Sequence, residues 1–215
     1  MIQTARAYAI QHNRPRNLNN LSKRSTSMII ALSGTPGSGK STVGKKLADH
    51  LGWPRYYIGG IRREMARKRG MTLGEYNKLG ETDPSTDREP DEYQKKLGET
   101  HDNFIIEGRT SWYFIPHAFK IFLDVDEHAG AERVWKELQK ENTRNEAAGL
   151  QSVEDVLQSH RERKHSDALR YKAYYNIDAY DPKQYDVVID TTSLNPDQVF
   201  NEVLKTVKKA IDKRG

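Results

Sequence analysis

Residues 34–41 read Gly34-Thr35-Pro36-Gly37-Ser38-Gly39-Lys40-Ser41, the pattern G-x-x-x-x-G-K-[ST], and no other stretch constrains this chain as strongly. Glycines at these places let backbone N–H groups turn inward around phosphate oxygens. Lys40 then reaches the β- and γ-phosphates, and the Ser41 hydroxyl faces Mg2+. The flanks agree with such a loop. Met28–Ser33 (MIIALS) is a short apolar run that reads as a buried strand. Ser41–Leu51 (STVGKKLADHL) puts Val43, Leu47 and Leu51 at helical spacing, and a helix N-terminus aimed at phosphates adds its own attraction for anions.

The same alternation continues along the chain. A short apolar stretch at Tyr56–Ile58 is followed by Gly59-Gly60, read as a break, with a helix from Ile61 to Gly70. Thr72 caps a helix through Leu79, with Gly80 as its stop. Asp83-Pro84 opens another, expected to end near Leu97, before Gly98. Asn103–Glu107 and Lys120–Val125 read as buried strands, with a helix over Glu127–Lys140. Residues 141–151 are polar and read as a loop. Ser152 and Asp155 start a long helix to Tyr175, Asp186–Ile189 is the last strand, and Pro196 opens a terminal helix to Ile211. Five strands alternating with helices predict an α/β fold with a parallel sheet covered on both faces, and a ligand site at the carboxyl ends of the strands.

A length of 215 residues suits one such core with small insertions. The chain has no cysteine, which excludes disulfides and Cys-based metal sites. No apolar run approaches membrane-spanning length, so a soluble, cytoplasmic monomer is expected, without a membrane partner. The net charge of +5 resides in residues 1–27, which hold Arg6, Arg14, Arg16, Lys23 and Arg24 and no acidic residue. The body is neutral overall, which argues against a nucleic-acid partner. This basic segment reads as a disordered extension: a cloning remnant, an over-long gene start with Met28 the true initiator, or a transit peptide.

Three basic features narrow the chemistry. Glu107-Gly108-Arg109 follows a strand and delivers a guanidinium beside the phosphate loop, suited to a second phosphate. Arg163 and Arg170 are seven apart on one helix face after a polar, hinge-like loop, where they could close over a transferring phosphoryl group. Arg62-Arg63 is a further candidate clamp, whereas Lys68 and Arg69 are expected to face solvent. No His/Asp/Glu cluster has metal-ligand spacing, and no nucleophilic serine context appears. That suits transfer between phosphates, which needs positioning and charge stabilisation more than a general base.

Taken together, GTPGSGKST (34–42), GGIRREMARKRGMTLGEY (59–76), DPSTDRE (83–89), EGR (107–109) and RERKHSDALRYKAYYNID (161–178) resemble the nucleoside monophosphate kinases, and among them the short archaeal- and bacterial-type cytidylate kinases. The resemblance runs from Met28 to the C-terminus. It implies an adenylate-kinase-like P-loop fold with a five-stranded parallel sheet, a helical monophosphate-binding insertion over about 59–98 and a lid over about 140–170. It implies ATP and Mg2+ as cofactors and CMP or dCMP as acceptor. Gly34, Thr35, Pro36, Gly37, Ser38, Gly39, Lys40, Ser41 and Thr42 would hold the donor phosphates, with Ser41 at the metal. Arg63 and Arg109 would grip the acceptor phosphate, with Glu107 beside them. Arg163 and Arg170 would be lid cations, Lys40 and Arg109 joining them in catalysis. Asp87 and Arg88 would lie near the base, Asp87 accepting from the cytosine amino group. Two positions depart from the family pattern: Gly60 stands where relatives carry Asp, and Glu137 where they carry an Arg that Arg144 could replace. The 141–151 segment also looks longer than in compact relatives. A P-loop kinase for another small acceptor (a different monophosphate, shikimate, gluconate) and a non-catalytic nucleotide switch are the alternatives.

Overall fold

A computed structural model of the chain describes residues 27–140 and 149–214. The basic extension up to residue 26, Arg144 and most of the polar 141–151 loop lie outside the described residues.

Five strands form one parallel sheet in the order β2-β3-β1-β4-β5: β1 (Ile29–Gly34), β2 (Arg55–Tyr57), β3 (Phe104–Glu107), β4 (Phe119–Asp124) and β5 (Val187–Asp190). The central position of β1 follows from its composition, six residues buried in succession. Its alternate side chains feed two separate cores. Ile29 and Ala31 pack on one face with Phe104, Ile106, Ile58, Ile61 and Met65. Ile30 and Leu32 pack on the other with Ile105, Val43, Leu47, Val199 and Val203. Each such side chain contributes roughly 1.5–3 kcal/mol of burial, so both faces must be covered.

The helices are α1 (Lys40–Leu51), α2 (Ile58–Lys68), α3 (Leu73–Gly80), α4 (Ser85–Thr100), α5 (Ser111–Phe114), α6 (Glu127–Leu138), α7 (Val153–Tyr175) and α8 (Pro196–Asp212). Local signals set many of their ends. Thr72 and Glu75 form a reciprocal capping box at α3. Ser152 accepts from the Asp155 amide at the start of α7. Past the end of α2, Gly70 adopts φ +68° while Met71 N–H reaches Ala66 O and Gly70 N–H reaches Arg67 O, a Schellman closure.

Two glycine signals misled. Gly59 and Gly60 do not break the chain but form the first turn of α2, which starts at Ile58 directly from the strand. Gly59 is there for closeness: a Cβ would lie 2.9 Å from the Tyr57 ring and 3.3 Å from the Arg63 guanidinium. Gly98 does not end α4, because Ile115 packs against its bare Cα, where a Cβ would come within 2.9 Å. Short α5 was not foreseen.

The chain leaves β1 for β2, on the β3 side, and leaves β3 for β4, on the other side, so the two connections diverge and open a crevice at the carboxyl ends of β1 and β3. The loop between β1 and α1 lies in that crevice. Helices α2 and α4 form one wall. Helix α7 packs on α6, where Glu127 takes Arg161 at 3.1 Å and Lys164 at 3.0 Å.

Candidate active site

The loop from Gly34 to Lys40 is shaped by close backbone approach. Gly37 sits at φ +79°, and a Cβ on it would lie 2.3 Å from Gly130 O of α6. On Gly34 a Cβ would lie 2.0 Å from Leu123 O. Lys40 Nζ folds back over the loop, donating to Gly34 O at 2.9 Å and Thr35 O at 3.1 Å. Pro36 through Thr42 line a cleft of about 390 Å3, whereas Gly34 and Thr35 do not. Thr35 instead anchors the loop: its hydroxyl donates to Asp124 Oδ1 at 3.1 Å and accepts from Val125 N–H at 3.0 Å. Ser38 is buried, with Oγ unpartnered among the described residues.

The cleft is also cationic. Arg62, Arg63, Arg109 and Arg163 all line it, from α2, the β3 exit and α7. Tyr57 OH accepts from Arg63 Nη1 at 2.6 Å. Arg109 pairs with Asp167 Oδ2 at 2.7 Å and with the Tyr180 hydroxyl, over whose ring it also lies. Asp167 is fully buried. Burial alone would raise its pKa, but Arg109, Arg170 and Arg163 together hold it below the usual carboxylate value. The cleft thus brings the phosphate loop with Lys40 and a cluster of guanidiniums together in one cavity.

Arg170 and Arg88 lie outside the cleft, whereas Asp87 lines it but is already paired. Arg170 does not line the cleft. It is 1% exposed, with Nη1 on both Asp87 oxygens at 2.5 and 2.6 Å and Nη2 on Asp167. Asp87 Oδ1 also accepts from Arg62 Nη1 at 2.5 Å and Oδ2 from the Thr86 hydroxyl at 3.2 Å. A carboxylate offers about four acceptor positions, so Asp87 has none left for a base. Arg88 is exposed on the outer face of α4, away from the cleft. Glu107 lines the same cleft as Arg63 and Arg109. Its carboxylate pairs with Arg55 and presses on Gly44 of α1, where a Cβ would lie 2.1 Å from Oε1. Burial raises the pKa of Glu107, against the pull of Arg55, Lys40 and Ser41. Gly60 is buried in α2, and Glu137 is exposed at the rim of the cleft.

Sequence reasoning missed Tyr57, Arg55, Asp167 and Asp91. Asp167 carried a signal: an acid three residues before Arg170 inside an arginine-rich helix is placed to pair with it. Asp91 carried one too, one turn beyond Asp87 on the same face of α4.

The residues present suit a Mg2+ ion. Among the described residues no cluster of three His or acidic groups exists, but Glu107 Oε2 is buried without a hydrogen-bond partner, close to Ser41. One anionic oxygen and a hydroxyl fit a hard cation that keeps most of its water and binds mainly to phosphates.

Comparison with known proteins agrees with this geometry. Residues 29–193 match the model of the cytidylate kinase-like family. The cytidylate kinase of Methanococcoides burtonii is 36% identical over 188 residues, covering 87% of this chain and 99% of that protein. That of Natronomonas pharaonis is 40% identical, covering 80% and 85%. That of Pyrococcus furiosus is 39% identical, covering 86% and 88%. Among solved structures, an uncharacterised protein from Eubacterium ventriosum has a TM-score of 0.61 at 19% identity, covering 84% of this chain and 98% of that one. Shikimate kinase from Bacteroides thetaiotaomicron has 0.59 at 15%, covering 87% and 99%. The structural likenesses carry the fold alone, a P-loop kinase sheet. With the family model spanning both the phosphate loop and the arginine-bearing α7, the chain belongs to the cytidylate kinase-like family.

Proposed function

We propose that this protein transfers the γ-phosphoryl group of ATP to CMP or dCMP by direct in-line displacement. The observation that carries this reading is that one cleft is lined both by the phosphate loop and by Arg62, Arg63, Arg109 and Arg163. Such a cleft suits two anionic substrates whose phosphates meet near Lys40.

In this reading the loop amides and Lys40 hold the donor phosphates, and the Lys40 ammonium leaves its carbonyl partners for the β- and γ-phosphates. Arg63 and Arg109 orient the acceptor phosphate, which attacks as an anion and needs no strong base. Charge develops on the transferred oxygens, and Arg163 is close enough to the cleft to neutralise it. Ser41 and Glu107 would hold Mg2+, which would supply further charge neutralisation to the phosphates. Residues 59–98 act as the acceptor-binding unit and the 140–170 region as the closing element. Arg170 joins the transfer only if Asp87 releases it, so its contribution in the described state is to fix α7 against α4.

The test is a coupled ADP-release assay with ATP and Mg2+ on CMP, dCMP, UMP, AMP and GMP in parallel. Selective turnover of CMP and dCMP is expected. Preference for another monophosphate overturns the acceptor assignment, and no turnover with any of them overturns the kinase reading.

A further inference from the structure

Every other deeply buried carboxylate around the cleft has an arginine: Asp87 has Arg62 and Arg170, Glu107 has Arg55, Asp167 has Arg109 and Arg170. Asp91 has none among the described residues. It is 5% exposed and lines the cleft one turn beyond Asp87, opposite Gly108–Thr110. Its partners are all neutral. Oδ1 accepts from Gln94 Nε2 at 2.9 Å and Thr110 Oγ1 at 3.0 Å, and Oδ2 from Tyr175 OH at 2.6 Å. That leaves Oδ2 one open acceptor position. Arg62 pulls on Asp91 without pairing with it; a buried carboxylate with no paired cation is expensive, and burial pushes its pKa up to about 7. Fold stability would be served better by an amide or an apolar side chain, and such groups gather at functional sites. Pro90, Ile58 and Tyr171 supply flat or apolar surface in the same cleft, suited to a planar ring.

We propose that Asp91, rather than Asp87, reads the pyrimidine: its Oδ2 accepts a hydrogen bond from the exocyclic amino group of cytosine, while Gln94, Thr110 and Tyr175 hold the carboxylate in place. Uracil presents a carbonyl oxygen there and meets repulsion instead. This inference rests on the pyrimidine monophosphate reading above. Asp91 is a specificity residue and touches the base, not the transferred group.

The experiment measures kcat/KM for CMP, for UMP and for the CMP analogue lacking the 4-amino group, in the wild type and in Asp91→Asn. Protection of each protein against thermal unfolding by ATP reports an intact donor site. In the variant, CMP use is expected to fall about 10- to 100-fold while the analogue is unaffected, so the CMP-to-analogue ratio approaches one. An equal fall for CMP and analogue, or an unchanged ratio, overturns the inference and leaves the kinase reading standing. A wild type inert toward CMP overturns both. If Asp91→Asn does not fold, Tyr175→Phe is read instead. It removes one half-buried donor that favours the ionised carboxylate, so the CMP-to-analogue ratio falls in the same direction. An unchanged ratio there overturns the inference.

Discussion

Arg170 and Asp87 meet across the joint between α7 and α4, with Nη1 donating to both carboxylate oxygens at 2.5 and 2.6 Å. Both side chains are buried, and Arg62 closes the other side of Asp87. Paired charges in low dielectric tolerate burial only while each has its partner. Asp87→Asn therefore leaves Arg62 without its ion-pair partner and Arg170 with Asp167 alone. A loss of about 3–5 kcal/mol in urea unfolding is expected, with the CMP-to-UMP ratio of the surviving folded protein unchanged. A changed ratio with stability intact would return base reading to Asp87.

That pair also shows where the sequence stopped being legible. Elements with local causes could be read directly: the capping box at Thr72 and Glu75, the Ser152 cap, Pro196, the Gly70 closure and the phosphate loop between an apolar run and a helix. What fills a side chain's hydrogen-bonding capacity comes from elsewhere in the chain. Arg170 lies 83 residues from Asp87, so nothing near DPSTDRE indicates that Asp87 is already taken. Asp91 shares its helix face, and nothing near it in the sequence marks it as the buried acid left without a paired arginine. Gly98 reads as a helix stop until Ile115 is seen resting on it.

Gly37 fixes the phosphate loop against α6. A methyl group there would have to form at φ +79° and within 2.3 Å of Gly130 O, a backbone atom that α6 holds in place. The left-handed conformation alone costs roughly 1–2 kcal/mol for a residue with a Cβ. Gly37→Ala is expected to lower the melting temperature and to abolish protection by ATP, because the loop must move to relieve the clash. Wild-type protection by ATP in this variant would show that the loop is more yielding than its contacts indicate.

Lys40 donates to two loop carbonyls, and its charge also pulls on buried Glu107, which keeps its pairing with Arg55 when Lys40 is gone. Its removal should therefore disturb the fold little, while depriving the transferred phosphoryl of its nearest cation. Lys40→Ala is expected to keep its melting temperature within a few degrees and to lose at least about 1,000-fold in kcat for ADP release. Near-wild-type turnover would remove the phosphate loop from the chemistry and with it the kinase reading.

Asp91 gives stability a pH dependence of its own. Burial raises its pKa from 3.8 to about 7. At pH values below about 4 both folded and unfolded chains carry the proton. Between there and about 7 the folded chain keeps it and the unfolded chain has lost it, so rising pH favours unfolding. Above that range the folded chain bears the full cost of a buried anion. Asp91→Asn removes this titration and leaves a constant offset from its altered hydrogen bonds. The variant's melting temperature relative to wild type should therefore increase from pH 5 to pH 8, by an amount corresponding to about 2–4 kcal/mol. Differential scanning calorimetry at the two pH values reads the difference directly. A difference independent of pH would mean that Asp91 is ionised at low cost in the folded chain, with a cation close to it.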